Sequence, residues 1–522
     1  MQCDRRPRSI ITSSSIALIL VGSFGLSACL NTSILVVGET PAPPPPPAPS
    51  ISVSVVDESG DALAGAQVDF QGEVTATNAS GLASTIWEDE IIVVTAAFPG
   101  FHDSTANLEV FSDDPVEITM EPVVLDGRVT NAAGAGIESA KVQLGDAEAL
   151  TGPNGSFQME RVVAGEATAT RPAWVSTVAT WDGIAETLEI VLEPVVVRAL
   201  HVTGWTPQNT EAWDGLLGLA NTTEVNALVV DLKDESGRVY YASEVPLAQE
   251  VGATREFYEL GDIVDLMNER GLYMIGRIVT FQDPVAARAR ADLAIRAADG
   301  TPFEKNGQYF LDPTDPAARQ YAIDLAAEAC AAGVHEIQFD YVRFPDGFSS
   351  SVQFDGGSAY LGAYNDPEAG AARVAVIADF LKQARDLLNP MGCAISADVF
   401  AIILSVPDDQ GIGQRPEDLS RVVDAISPMI YPDHYSDGSF GYEKPFDYPF
   451  EVIDAALAAG MPRLQSTAIM RPWLADYYYG PAEVRAEIEA AEKYGIGWML
   501  WNANSNHTPG ALQPAEADAS GD

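Results

Sequence analysis

The sequence predicts an α/β chain in which a (β/α)8 TIM barrel follows two N-terminal all-β sandwich domains. Two observations support this fold class. Eight short apolar strands alternate with helical segments over residues 195–510, which is the pattern of a closed parallel sheet covered by helices. Before them, a pattern of short alternating strands and turns occurs twice at a shift of 74 residues, as expected for two small β-sandwiches.

Length and charge limit the class of protein. The 522 residues are too many for one compact domain, and 47% hydrophobic with 20% charged residues is the composition of globular protein. Acidic residues number 75 against 29 basic ones, giving a formal net charge of -46. Such a chain repels a phosphate backbone, so we expect no nucleic-acid partner.

Residues 1–28 have the features of a lipoprotein signal peptide. Arg5, Arg6 and Arg8 precede a mostly apolar segment that is too short for a comfortable membrane span. The segment ends in Leu26-Ser27-Ala28-Cys29, which resembles the lipobox of bacterial lipoproteins. The resemblance implies a lipid anchor on Cys29, a membrane partner through that anchor, and a periplasmic or cell-surface place in the bacterial cell envelope. A plain signal peptide with an incidental Cys29 is the alternative, and the choice of inner or outer membrane stays open.

A proline-rich linker, 29–50, is expected to separate the anchor from the folded domains. Residues 41–49 read PAPPPPPAP, and such a run favours an extended polyproline II spacer. The two predicted sandwiches, 51–122 and 123–194, follow. They resemble the carboxypeptidase-regulatory-like, transthyretin-type repeats of bacterial surface proteins, through aligned strand motifs and the turns TNASG and TGPNG. That resemblance implies a spacer or a weak binding unit.

The barrel prediction rests on eight strand-like runs, and a doubly wound sheet is the main alternative. Two helices are predicted at 316–333 and 371–388, and 511–522 is predicted to be a disordered tail. Cys330 and Cys393 lie in apolar contexts and are predicted to be buried thiols. The strand-like runs are 198–205, 225–233, 272–281, 335–344, 393–400, 424–432, 463–470 and 496–504.

Polar side chains that end these strands are the candidate site residues, because the active site of such a barrel lies at the C-terminal ends of its strands. Asp340 and Asp398 are the predicted catalytic pair, since two carboxyl groups flanking a glycosidic bond are the minimum for hydrolysis. A structural ion pair with Arg343 is the alternative role of Asp340. Asp231 and Lys233 are expected to share one strand face, where a salt bridge between them is the alternative to substrate binding. His201 and His335 lie at strand starts, the stability face of the barrel, and are predicted to be core residues. Ten further residues are predicted to bind substrate: Asp231, Lys233, Arg277, Tyr341, Arg343, Tyr431, Asp433, His434, Trp501 and Asn502.

Seven sequence blocks resemble a bacterial glycoside hydrolase domain family with a TIM-barrel fold and no assigned substrate. They are ALVVDLKDESG (227–237), IGRIVTFQDP (275–284), FDYVRFP (339–345), SADVF (396–400), ISPMIYPDHY (426–435), IMRPWL (469–474) and GWMLWNA (497–503). The resemblance covers roughly 198–505. It implies a glycosidase-like barrel and a carbohydrate substrate, without naming the sugar.

The leading hypothesis is a lipid-anchored glycoside hydrolase that cleaves a polysaccharide or oligosaccharide and needs no cofactor or metal. A variant of it makes Asp433 the acid in place of Asp398. A second hypothesis is a non-catalytic carbohydrate-binding lipoprotein. A third, a metal-dependent hydrolase using Asp231, Asp340 and His434, has no supporting histidine motif among the five histidines. The sugar, the linkage, the stereochemical outcome and the oligomeric state stay open at this stage.

Overall fold

The computed structural model describes residues 50–86, 91–109, 114–347, 352–354, 359–363 and 365–515. The predicted signal peptide, Cys29 and all but the last residue of the predicted linker lie outside these residues. No helix in the described ranges is both long enough and apolar enough to cross a membrane.

The first N-terminal domain is a sandwich of two sheets, with strand orders β4-β1-β7 and β3-β2-β5-β6. Alternate residues of strands such as β1, β2 and β7 face a shared apolar core, which is the pattern of a sheet with one buried face. The strands are β1 (Ser50–Asp57), β2 (Gln67–Phe70), β3 (Glu73–Ala76), β4 (Leu82–Ile86), β5 (Ile91–Ala97), β6 (Ser104–Glu109) and β7 (Val116–Met120).

The second domain repeats this topology, with sheets β11-β8-β14 and β10-β9-β12-β13. The repeat extends to single hydrogen bonds. Thr77 Oγ1 donates to Leu63 O and accepts from the Ala66 amide, and Thr151, 74 residues later, makes the equivalent bonds in the second domain. The strands are β8 (Val124–Thr130), β9 (Lys141–Leu144), β10 (Ala147–Leu150), β11 (Ser156–Glu160), β12 (Gly165–Thr170), β13 (Thr177–Trp181) and β14 (Thr187–Val191).

The remaining strands belong to the predicted barrel and its loops. They are β15 (Arg198–Val202), β16 (Ala227–Lys233), β17 (Val239–Tyr241), β18 (Thr254–Tyr258), β19 (Tyr273–Val279), β20 (Glu304–Lys305), β21 (Gln308–Tyr309), β22 (Glu336–Asp340), β23 (Ala394–Phe400), β24 (Ala425–Met429), β25 (Ile469–Met470), β26 (Trp473–Ala475) and β27 (Trp498–Trp501). Eight of them pair in the order β15-β27-β26-β24-β23-β22-β19-β16, and β15 also pairs with β16. The parallel sheet therefore closes into the predicted eight-stranded barrel.

Helices cover the outside of the barrel, and the main apolar core lies between them and the strands. Several begin with proline after an aspartate whose side chain accepts from the first free amides, as in α5 and α6, an arrangement that satisfies the helix N-terminus. The helices are α1 (Thr210–Thr222), α2 (Pro246–Glu250), α3 (Leu260–Glu269), α4 (Pro284–Ala289), α5 (Pro316–Ala331), α6 (Pro367–Leu388), α7 (Pro416–Leu419), α8 (Pro449–Gly460) and α9 (Pro481–Glu492).

Three local predictions differ from the structure. The seventh barrel strand is β26, with β25 beside β24, and not 463–470, because Gln465 and Ser466 hydrogen-bond to Ser420 in place of a strand neighbour. Cys330 and Cys393 are buried as predicted but form a disulfide, since the end of α5 and the start of β23 bring their Cα atoms to 5.8 Å. Residues 511–515, assigned to a disordered tail, pack on the barrel through bonds between Glu224 and Gln513.

The second sandwich is attached to the N-terminal end of the barrel by a buried ion pair. Arg171 Nη2 lies 2.6 Å from Asp424 Oδ1, and both side chains are buried. The other terminal nitrogen of Arg171 donates to Asn389 Oδ1 at 2.6 Å. Asp424 directly precedes β24, so this contact lies at the face opposite the barrel mouth.

We expect Arg171→Ala to weaken the attachment of the second sandwich to the barrel. Removing one partner of a buried ion pair costs about 3–5 kcal/mol in free energy of unfolding when the other charge is left uncompensated, and we expect a smaller loss here because Asp424 keeps Arg385 at 3.6 Å. Calorimetry of the full chain should show a lower unfolding temperature for the barrel. Arg161→Ala is the matched control, because Arg161 pairs with Asp57 but is half exposed. Equal shifts in both variants would contradict the proposed importance of the buried pair.

Candidate active site

A cavity of about 720 Å³ lies at the mouth of the barrel, at the C-terminal ends of the strands. Seven of the twelve predicted catalytic and substrate-binding residues line it: Arg277, Asp340, Tyr341, Arg343, Tyr431, His434 and Trp501. A larger cavity of about 860 Å³ lies between the second sandwich and the opposite end of the barrel. Two of the lysines in that larger cavity are already paired with glutamate or aspartate, and it contains none of the predicted site residues. The mouth cavity is therefore the candidate active site.

Arg277 on β19 is the centre of the site. Its side chain is only 1% exposed, and a buried charge is costly unless it is paired. Its terminal nitrogens bind Asp231 Oδ1 at 2.7 Å, Glu235 Oε1 at 2.5 Å and Asp340 Oδ2 at 2.5 Å. Burial alone lowers the pKa of Arg277, but these carboxylates raise it well above its usual value. The guanidinium is a fixed positive charge on which three acidic side chains converge.

Asp340 and Asp398 stand side by side at the mouth. They end neighbouring parallel strands, β22 and β23, and the register pairs Phe339 with Ala397, one residue before each aspartate. Both approach Arg277 Nε, Asp340 Oδ2 at 3.1 Å and Asp398 Oδ2 at 3.9 Å. Asp340 Oδ1 accepts from the Tyr341 amide at 2.6 Å. The alternative partner of Asp340, Arg343, pairs instead with Asp346.

Asp398 is held in a different environment from Asp340. It is 1% exposed and does not line the cavity directly. Its Oδ1 accepts from the Trp473 indole at 2.8 Å, and no described residue donates a hydrogen bond to its Oδ2. Burial raises the pKa of Asp398 well above its usual value, the negative charge of Asp340 adds to this, and Arg277 only partly opposes it. The structure thus supports a protonated Asp398 beside an Asp340 that is bound to a cation.

Asp231 and Lys233 were expected to share one strand face, and they do not. A register irregularity lies between them, so that Asp231 pairs with Arg277 and Lys233 with Ile278 of β19. Asp231 points into the barrel, where its Oδ2 lies 3.1 Å from His201 Nε2, and its pKa stays low because His201 and Arg277 outweigh the effect of burial. Lys233 is buried outside the barrel mouth against Asp283, at 3.0 Å, and has no place in the cavity.

The residues after β22 and β24 supply most of the cavity wall. Tyr341 has a left-handed backbone, with φ of 47°, a strained conformation of the kind that clusters at functional sites. Arg343 lies over the rings of Tyr341 and Phe400, with centroid distances of 5.0 and 4.6 Å. The His434 ring contacts Tyr431 edge-on. Asp433 is exposed, does not line the cavity, and accepts from Tyr477 OH at 3.1 Å.

On β27, Trp501 and Asn502 have different roles. Trp501 lines the cavity and stacks on His201 at 4.0 Å, and the Arg277 guanidinium lies 4.8 Å from the Trp501 ring centroid. His201, expected at the stability face, therefore reaches the site. The Asn502 side chain donates to Asp476 O and accepts from two following amides. Asn502 thus shapes the loop and does not face substrate.

Several cavity residues were not predicted. Glu235 follows β16 within the quoted DESG run, and Trp473 lies within the quoted IMRPWL block, so both were visible in the sequence. Their roles depend on long-range contacts, with Arg277 and with Asp398. Phe400, Ala401, Ile402, Met429, Tyr435, Ser436 and Ser439 complete the lining.

The metal alternative has no structural counterpart among the described residues. No group of three or more histidine, cysteine or acidic side chains in these ranges is arranged to hold a metal ion. Asp231 and Asp340 both bind Arg277, and His434 is largely exposed.

The class of the protein follows from the barrel and a family match. Residues 199–507 match the model of the family described as "Putative glycosyl hydrolase domain". Because the match covers more than half of the chain, the protein belongs to this family, and its class is that of the glycoside hydrolases.

Three solved structures illustrate the comparison with known proteins. A hypothetical protein from Ruminiclostridium thermocellum ATCC 27405 is 35% identical over 38% of this chain and 97% of its own, with a TM-score of 0.33. The glycoside hydrolase domain of PelA from Pseudomonas aeruginosa is 11% identical over 60% and 97%, with a TM-score of 0.34. A class V chitinase from Pseudomonas fluorescens Pf-5 has the same identity and coverage, with a TM-score of 0.37. No curated protein matches the sequence.

Two substitutions are expected to move the pKa of Asp398 in opposite directions. Asp340→Asn removes a neighbouring negative charge and should lower the pKa, whereas Trp473→Phe removes a hydrogen bond to the carboxylate and should raise it. The carboxyl carbon shifts of aspartate-labelled protein, followed against pH, measure both changes. Unchanged titration of Asp398 in both variants would show that these two neighbours do not control its proton.

Proposed function

We propose that the protein is a cell-envelope-anchored glycoside hydrolase that cleaves a polysaccharide or oligosaccharide with Asp340 and Asp398. The observation that carries this proposal is the contrast between the two neighbouring carboxyl groups. Asp340 is bound to the Arg277 cation, and Asp398 is buried with a raised pKa. A carboxyl group bound to a cation and a second one with a raised pKa, on adjacent strands, suit the nucleophile or base and the acid that glycoside hydrolysis needs.

In the proposed first step, Asp398 donates its proton to the glycosidic oxygen as the bond from that oxygen to the anomeric carbon breaks. An oxygen of Asp340 forms a bond to the anomeric carbon in its place. In the second step, Asp398 takes a proton from a water molecule whose oxygen attacks the same carbon, and Asp340 leaves as a carboxylate. Two displacements retain the configuration of the sugar.

Neighbouring strands favour the retaining outcome. Adjacent strands lie about 4.8 Å apart, and retaining enzymes place their carboxyl groups about 5–5.5 Å apart, against roughly 6.5–9.5 Å in inverting ones. Both aspartates approach the same Arg277 nitrogen, which supports the shorter class. The anomer first released, followed by proton NMR, distinguishes the two outcomes.

The cavity wall is suited to a sugar ring. Trp501, Tyr431 and Trp473 offer apolar ring faces, while Arg343 and His434 offer polar atoms for hydroxyl groups. A wall of aromatic surface with few placed polar groups is the usual make-up of a small-molecule site.

Two other carboxylates compete for the role of acid. Asp433 is held by Tyr477 outside the cavity wall, which weakens its case. Glu235 lines the cavity and shares Arg277 with Asp340, so it is more accessible to a sugar than Asp398. Asp398 remains the preferred acid because its surroundings favour the protonated form.

Anchoring through Cys29 is the second part of the proposal. The lipobox-like residues before Cys29 support it. The buried Cys330–Cys393 disulfide supports export independently, because disulfides form and persist mainly in oxidising compartments outside the cytosol.

We expect Asp340→Asn and Asp398→Asn each to remove most turnover, by on the order of 10²-fold or more for the acid, without loss of folding. Because the folded-state pKa of Asp398 is raised, the contribution of this side chain to the free energy of unfolding is fully present below its unfolded-state pKa and is lost as pH rises through the folded-state pKa. Asp398→Asn should therefore gain stability relative to wild type as pH rises. Reducing-end release from a polysaccharide panel, together with thermal melts at several pH values, measures both effects.

Asp433→Asn and Glu235→Gln are the matched controls for these catalytic variants. If Asp398→Asn stays active while one of the controls loses turnover, that control residue is the acid. A wild-type protein that binds glycans from the panel but cleaves none of them would favour the non-catalytic carbohydrate-binding alternative.

The anchor predicts that wild-type protein partitions with the membrane and into detergent, whereas Cys29→Ala does not. The reason is that a thioether-linked diacylglyceryl group requires the cysteine sulfur. Fractionation of expressing bacteria, with the signal peptide left intact, measures the partition. Soluble behaviour of both variants would refute the anchor and leave the barrel proposal untouched.

A further inference from the structure

Exposed aromatic side chains are concentrated at the barrel mouth. Among the described residues, four Phe, Tyr or Trp side chains are more than one third exposed: Trp205 at 43%, Phe446 at 37%, Tyr448 at 41% and Tyr478 at 83%. All four lie in loops that follow barrel strands, after β15, β24 and β26. The described parts of the two sandwiches contain none. Scattered exposed apolar residues need no explanation, but a group of them at one functional face indicates a binding surface.

The loops after β24 and β26 form one aromatic surface, which we call the rim and define as Tyr442, Phe446, Tyr448 and residues 477–479. Phe446 stacks on Tyr479 at 4.6 Å, and the Tyr479 hydroxyl donates to Phe446 O at 2.7 Å. Tyr442 stacks on Tyr448 at 4.6 Å. These contacts hold the rings in place, so that little conformational entropy is lost when a ligand binds.

The rim is continuous with the active-site cavity. Tyr431 lines the cavity and lies 5.8 Å from Tyr477, which in turn lies 5.1 Å from Tyr478. Tyr478 has a left-handed backbone, with φ of 62°, and its ring is almost fully exposed. A strained backbone that presents an aromatic ring to solvent beside a cavity indicates a functional position.

Resting on the proposed hydrolase function, we propose that the rim binds a neutral glycan polymer and that the substrate is a chain extending from the cavity across the loops after β24 and β26. Flat aromatic faces suit the apolar faces of successive sugar rings. The net charge of -46 repels polyanions, which excludes uronate-type polymers as ligands. A single sugar ring fills only the cavity, whereas a longer chain crosses Tyr477 and Tyr478 as it leaves the cavity.

Binding of the full chain carrying Asp340→Asn tests this proposal without consuming the ligand. The probes are insoluble chitin, insoluble cellulose and insoluble xylan as uncharged polymers, with a polygalacturonate gel as the polyanion. We expect retention on at least one of the uncharged polymers and none on polygalacturonate. Adding Tyr478→Ala should weaken that retention by about 3- to 10-fold, as for loss of one aromatic contact, and Tyr478→Trp should restore it.

Leu387→Ala is the matched control, because Leu387 is 44% exposed on α6 near the opposite end of the barrel. It should leave retention unchanged. In a chain with Asp340 intact, Tyr478→Ala should lower the cleavage rate of the retained polymer and leave unchanged that of an aryl glycoside carrying one unit of the same sugar.

The inference fails if no uncharged polymer retains the chain, or if Tyr478→Ala binds as tightly as its parent. If polymer binding depends on Tyr478 but the protein cleaves none of the polymers, the rim is a glycan-binding surface and the proposed hydrolase activity is wrong.

Discussion

One buried positive charge organises the barrel mouth. Arg277 is fully enclosed, and the free-energy cost of burying its guanidinium is offset only because acidic side chains from separate segments converge on it. The fork of nitrogen donors can bind several carboxyl groups in fixed directions, which an ammonium group could not do. Asp231 from β16 and Asp340 from β22 are neighbours of β19 in the closed sheet. The barrel closure and the charge arrangement therefore depend on each other.

The Arg277 charge also contributes to a difference in environment between the two aspartates at the mouth. The Asp340 carboxyl group is bound by the Arg277 guanidinium and accepts a hydrogen bond from the Tyr341 amide. Asp398, one strand away, is buried, accepts a single hydrogen bond from the Trp473 indole and lies beside the negative charge of Asp340, so its neutral form is favoured. Two carboxyl groups this close would otherwise compete for one proton. The difference in surroundings between Asp340 and Asp398 therefore comes from their positions at the ends of two different strands, although both residues are aspartates.

Features of the fold that depend on local sequence patterns were predicted correctly. Strand and helix periodicity located seven of the eight barrel strands, and the spacing of 74 residues identified the repeated sandwich down to Thr77 and Thr151. Prediction failed where a local irregularity changes the pattern: the register shift between Asp231 and Lys233 reverses the side-chain direction assumed for Lys233. It also failed where the partner is distant in sequence. Cysteines 63 residues apart give no local sign of pairing, and Trp473 gains its role only through contact with Asp398.

The attachment of the second sandwich determines how the mouth meets its surroundings. Arg171 binds Asp424 and Asn389 at the N-terminal end of the barrel strands. Within the described residues, the second sandwich therefore does not cover the barrel mouth, which lies at the other end of the strands. Among the described residues, this domain therefore does not obstruct a long ligand of the kind proposed above where it leaves the mouth on either side. For such a ligand, the position of the domain gives bonds in the middle of the polymer the same access to the site as bonds near its ends.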